Sequence, residues 1–122
     1  MAALAVILGA FGAHSLKAVM APDQLMVFHT GVTYQFYHSF ALLLTGIVYG
    51  YYPHKNLRLA TTFFLVGIIL FSGSLYAMTL LSIEGIGLGP LGIITPIGGL
   101  CFIIGWILFF FGIKNEGHTS KP

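Results

Sequence analysis

The chain has 122 residues, 57% of them hydrophobic and 7% charged, with a formal net charge of +2 and a mean hydropathy of +0.96. A soluble domain carries about 25% charged residues, so this composition excludes a water-facing surface and implies an integral membrane protein. The small, scattered positive balance gives no basis for nucleic-acid binding, and no nucleic-acid partner is expected.

The charges fall in clusters: Lys17 with Asp23, Lys55 with Arg58, Glu84 alone, then Lys114, Glu116 and Lys121. Between them lie runs on the scale of the roughly 20 apolar residues that cross a bilayer. No linker is long enough to separate folding units, so one membrane domain over residues 1–122 is expected.

The first span covers about residues 1–16. It lacks the basic n-region of a signal peptide, and no small-residue cleavage site precedes Lys17. As a helix it would reach only about 24 Å, against a hydrocarbon core of roughly 30 Å. Its inner end therefore either continues upstream of Met1 or relies on snorkelling and local thinning. The second span runs over 22–52. Pro22-Asp23 suits a first helical turn, and Pro53 disfavours helix in the residue before it. The third covers about 59–82 and forms an antiparallel hairpin with the second through the short "PHKNLR" segment.

The stretch "GIGLGPLGIITPIGG" (85–99) holds six glycines and two prolines. Thr95-Pro96 reads as an N-cap followed by N1. The fourth span is therefore expected over 96–113, after an irregular apolar connection at 85–94; the alternative is one helix from Pro90 kinked at Pro96. Backbone irregularity at that depth is tolerated only where protein or water satisfies it. The expected fold class is an all-α integral membrane protein, a four-transmembrane-helix bundle. Lys55, Arg58, Lys114 and Lys121 share one side and Lys17 the other, so both termini are expected to be cytoplasmic.

Helices in lipid meet through small residues. Span one offers Ala5, Gly9 and Ala13, beside Gly12. Span three offers Gly67 and Ser74, beside Ser72 and Gly73. Span four offers Gly98, Gly105 and Gly112, beside Gly99. Trp106, in mid-span, reads as packing, and so does Cys101, the single cysteine, which can form no internal disulfide.

The second span carries "YQFYH" (34–38) inside a run without charged residues. On a helix Tyr34, Gln35 and His38 can touch one another. Gly31, Gln35, His38, Leu42 and Thr45 share one face, which should point inward, because polar groups in lipid pair with one another. The expected polar intramembrane cluster is His14, Tyr34, Gln35, His38, Ser72, Ser74, Tyr76 and Thr95, with His38 bonded to a backbone carbonyl, Ser72 or Ser74. Three readings stay open: a structural polar tie, a pocket for a small ligand, lipid headgroup or quinone, and a metal or haem held by His14 and His38 with His29. The nine-residue step from His29 to His38 lacks metal-pair spacing, so no metal and no cofactor is expected. His54 and His118, in polar segments, read as solvated. The acidic residues sit at span ends, and no Ser-His-Asp set or phosphate loop occurs, so no catalytic residue is assigned.

The segments "LGAFGAHSLK" (8–17), "YQFYHSFALL" (34–43), "GIILFSGSLYAM" (67–78) and "LGIITPIGGLCFIIGW" (91–106) together resemble the YgdD/YwdK-like family, the domain-of-unknown-function 423 family of small bacterial inner-membrane proteins. The resemblance touches all four spans in order. It implies a multi-pass protein of the bacterial cytoplasmic (inner) membrane with four helices and no assigned activity. Family members have a longer first span than the one here. The expected role is non-enzymatic, a structural, interaction or membrane-integrity role with membrane lipids, a second copy or other membrane proteins as partners. The alternative is small-molecule or lipid binding or transport through the polar cluster.

Overall fold

A computed structural model describes residues 1–86 and 91–114, and every regular element among them is helical. The elements are α1 (Ala2–His14), a 3-10 turn (Leu16–Ala18), α2 (Pro22–Tyr51), α3 (Lys55–Ile83) and α4 (Leu91–Lys114). Within α3 the five residues Ile68–Ser72 form a π-helical turn. At 1.5 Å per residue α2 is about 45 Å long, and α3 and α4, about 43 and 36 Å, are both long and apolar enough to cross a hydrocarbon core of about 30 Å.

Local chemistry accounts for the helix ends. Pro22 opens α2, and Gln24 in its first turn accepts a hydrogen bond from the Ala21 backbone N–H at 3.3 Å. His54 caps α3: its Nδ1 accepts from the Asn56 N–H at 3.2 Å, so it does more than face solvent. Gly85, with φ of 72°, closes α3 through bonds from its own N–H to Ser82 O and from Ile86 N–H to Leu81 O, a Schellman pair.

The expected irregular connection over 85–94 does not extend that far. Helix α4 is already regular at Leu91, and Pro96 lies inside it. Thr95 is consequently a helix-interior residue and not an N-cap. Proline is tolerated there because the N–H it removes belongs to the second turn, close to the helix start, where few carbonyls lose a partner. Residues 87–90 lie outside the described part of the chain, as do Glu116, His118 and Lys121.

The helices pack in chain order. Helix α1 approaches only α2, α2 packs on α3, α3 packs on α4, and α2 meets α4 over a short stretch. The α3–α4 seam is built from alternating large and small residues on both helices. A Cβ at Gly112 would lie 2.7 Å from Leu57, one at Gly105 2.7 Å from the Phe64 ring, and one at Gly98 2.7 Å from Phe71 Cα; on α3, Gly67 makes room for the Phe102 ring. These positions advance by three and four residues, the 3.5-residue period of a knobs-into-holes seam. Leu57, Ala60, Phe64, Ile68, Phe102 and Phe109 form the main core with Ala41 of α2, and Leu16, Met20 and Phe28 form a second one.

Every charged residue described sits at a helix end or beyond it: Lys17 and Asp23 flank the α1–α2 turn, Lys55 and Arg58 start α3, Glu84 follows it and Lys114 ends α4. Between these ends each helix shows large apolar side chains outward, among them Ile7, Phe40, Ile69, Ile103 and Phe110. A surface that apolar has a solvent match only in lipid.

Candidate functional site

The face of α2 carrying Gly31, Gln35, His38 and Thr45 is buried, as the spacing predicts. Gln35 is 2% exposed and ties three helices together. Its Nε2 donates to Met1 O at 3.1 Å, its Oε1 accepts from the Tyr76 hydroxyl at 2.8 Å, and its backbone oxygen accepts from Ser39 at 2.6 Å. Gly31 lets α3 come close, since a Cβ there would lie 2.9 Å from the Tyr76 ring.

His38 bonds a backbone carbonyl, one of its expected partners, and neither Ser72 nor Ser74. Its Nδ1 lies 2.7 Å from Tyr34 O, and its Nε2 receives the Trp106 indole N–H at 3.3 Å. An indole N–H can only donate, so Nε2 is the acceptor and the ring proton sits on Nδ1, directed at the Tyr34 carbonyl. The ring lies on Phe102 with centroids 3.4 Å apart and planes 7° from parallel. Phe102 is held there by the gap at Gly67, so a glycine of α3 sets the position of a histidine of α2. Tyr34 packs on Phe71 at 4.7 Å and stands nearly parallel to the His38 ring, 20° off at 6.1 Å.

Ser74 and Thr95 join α3 to α4 through a 2.7 Å hydroxyl contact, and Ser74 also donates to Phe71 O at 2.9 Å. With the Ser74 proton committed to that carbonyl, the Thr95 hydroxyl is the donor between the two. The π-helical turn puts both Ser72 and Ser74 in the interior, and Ser72, fully buried, has an unpaired hydroxyl.

The expected cluster thus resolves into separate groups. Gln35 with Tyr76, Ser74 with Thr95, and His38 with Tyr34 are each joined; His14 is exposed at the end of α1 and shares no bond with His38. No group of three metal-ligating side chains occurs among the described residues. Of the packing glycines, Gly9 faces Val32, Gly12 faces Phe28, and Gly98 and Gly105 are tight α3–α4 contacts; Gly99 is in ordinary contact with Phe71. Gly73 is a correction: a Cβ there would meet nothing within 4 Å, so it is not a close-approach residue.

Sequence reasoning took Trp106 as packing and did not single out Phe102. Both line a groove of about 600 Å³ between α2 and α4, with Tyr34, His38, Phe71, Pro96, Gly99, Leu100 and Ile103. The four-residue step from Phe102 to Trp106 was the available signal. Trp106 also borders a neighbouring depression of about 350 Å³ running along α2 past Tyr37 and Leu44.

Helices whose only charges sit at their ends, whose outward faces are apolar and whose polar groups close on one another within, define a helical membrane protein. The chain belongs to the family described as "Protein of unknown function (DUF423)", whose model matches residues 8–99. It is 46% identical over 107 residues to a UPF0382 membrane protein of Staphylococcus aureus (strain bovine RF122 / ET3-1), covering 88% of this chain and 83% of that relative. It is 44% identical over 108 residues to the UPF0382 membrane protein YwdK of Bacillus subtilis, covering 88% and 84%. A UPF0382 membrane protein of Haemophilus influenzae is 40% identical over 107 residues, covering 88% and 82%. No solved structure matches the chain.

Proposed function

We propose that this chain is a four-span protein of the bacterial cytoplasmic membrane, with both termini inside, acting without catalysis through contacts with lipids, a second copy or other membrane proteins. The observation that carries the reading is that the side chains of Gln35, His38, Ser74, Tyr76 and Thr95 close on partners within the protein, Ser72 being the exception. The one lone pair of the neutral His38 ring accepts from Trp106, and Gln35 is bonded through both ends of its amide. Neither is available as a base.

The orientation rests on lysine and arginine placement: Lys55, Arg58 and Lys114 lie at one end of the helices and Lys17 at the other. Asn56→Cys in a Cys101→Ala background should resist a membrane-impermeant thiol reagent in intact cells and react after lysis; ready reaction in intact cells reverses the topology. For the non-catalytic role, Tyr34→Phe, His38→Gln and Tyr76→Phe are introduced into a deletion strain under membrane stress. Growth should follow the amount of protein in the membrane. A variant present at wild-type abundance but without activity would mark a chemical requirement and overturn the reading. The groove beside His38 supports a second reading, binding of a small molecule or lipid.

A further inference from the structure

His38 lies near the middle of α2 and Trp106 about two turns before the end of α4, so the pair is not at the charged ends. With these helices in lipid, a ligand reaching the pair must carry its polar atoms deep in the hydrocarbon, below the level of phospholipid esters and headgroups. The groove is lined by uncharged residues and is open between the helices, with Tyr34 40% and Trp106 44% exposed. Its volume, about 600 Å³, is in the range of small-molecule sites. Its lining is aromatic: Tyr34 and Trp106 are exposed at its mouth, and Phe102, 4% exposed, lies behind them stacked on His38.

The polar atoms supply the chemistry. Trp106 Nε1–H is a donor and His38 Nε2 an acceptor, and they hold each other at 3.3 Å, longer than the usual 2.9–3.0 Å of a good N–H bond. If the pair parts by about 1–2 Å, one hydroxyl between them satisfies both, accepting from the indole and donating to the imidazole. A carbonyl can take the indole proton but leaves Nε2 without a partner. An acyl chain answers neither atom and gains nothing from a ring wall.

We propose that this groove binds a membrane-soluble quinol, a planar ring bearing a hydroxyl on an apolar tail, and prefers it to the corresponding quinone. The hydroxyl sits between Trp106 Nε1 and His38 Nε2, the ring lies against the exposed Tyr34 ring and Leu100 in the groove, and the tail leaves past Ile103 into lipid. The site rests on the second reading above and deepens it. It requires no electron transfer, only recognition of the reduced form.

Trp106 is the only tryptophan, so its indole N–H gives a single nitrogen–proton NMR signal that reports on this hydrogen bond alone. The full chain in detergent micelles is titrated anaerobically with decylubiquinol, decylubiquinone and dodecanol. The signal should move saturably with the quinol, with an apparent Kd about tenfold lower than for the quinone, the usual scale for one unpaired buried acceptor. Gly99→Leu fills the groove without a Cβ clash, since the nearest atom is 3.8 Å away, and should weaken quinol binding at least about tenfold. Gly46→Leu, where a Cβ meets nothing within 4 Å, should leave it unchanged. Linear, unsaturable movement, equal affinity for quinol and quinone, dodecanol as tight as quinol, or an unaffected Gly99→Leu variant each overturns the proposal. Thiol labelling in cells tests the topology separately, so a failed titration with intact topology removes the ligand and leaves the membrane reading standing.

Discussion

Gln35 shows what a buried amide does in a lipid-facing protein. Its amide nitrogen bonds Met1 O at the start of α1, and its amide oxygen bonds the Tyr76 hydroxyl of α3. Gln35→Leu should cost about 1–2 kcal/mol in detergent unfolding, since intramembrane hydrogen bonds average below 1 kcal/mol but an orphaned hydroxyl adds to the loss. Tyr76→Phe alone should cost less, and the double variant should be less destabilised than the two single effects added together, because its remaining groups need no partner. Strict additivity would show that the bond carries no coupling. His38 follows the same logic with a different outcome. Its partner is an indole on α4, and the bond adds to the stacking of His38 on Phe102 of the same helix.

At the scale of elements, the α3–α4 seam decides which glycines matter. Gly98 faces the backbone of Phe71, which cannot move aside as a side chain can, whereas Gly73 faces open space. Gly98→Leu should therefore destabilise the detergent-solubilised protein by several kcal/mol, on the scale of overpacking at 1–3 kcal/mol or more. Ile104→Leu, a volume-conserving control, should cost under about 1.5 kcal/mol. Gly73→Ala should be neutral or stabilising by about 0.5–1 kcal/mol, because it removes backbone entropy from the unfolded chain and meets no neighbour. Thermal unfolding of the three variants checks the order, and equal midpoints would mean that the seam is not the contact described. The π-helical turn belongs to this scale too. It brings Phe71 against Gly98 and turns Ser72 and Ser74 inward together, leaving the Ser72 hydroxyl unpaired.

At the scale of the whole molecule, the four helices follow one another as neighbours, and α1 has no backbone approach to α3 or α4. Oxidative cross-linking in membranes tests that arrangement. In a Cys101→Ala background, cysteines replacing Gly9 and Val32 should join α1 to α2, because a Cβ at position 9 lies 3.3 Å from the Val32 side chain. Cysteines replacing Phe11 and Ile103 should form no bond within one chain. An intramolecular Phe11–Ile103 link would require a closed bundle, and a link between chains would identify a second copy against these faces.

Much of the architecture was legible before any coordinates. Charge placement alone separated the helices, because a charge in hydrocarbon is costly and marks where a span must end. The step of three and four residues through Gly31, Gln35, His38 and Thr45 located the buried face of α2, and the glycine repeat of α4 located the face that meets α3. The start of α4 was misread at Thr95-Pro96, since an N-cap signature is a local pattern and the helix is already regular from Leu91. A backbone carbonyl was among the partners expected for His38, but its Trp106 partner was beyond the sequence. Which side chains meet across helices depends on axial register and rotation, and those follow from how Phe102 fits over Gly67 and how the π-helical turn rotates the rest of α3. Periodicity fixes which face of a helix is buried; only the assembled tertiary structure decides what that face touches, because a contact belongs to two helices and a repeat pattern belongs to one.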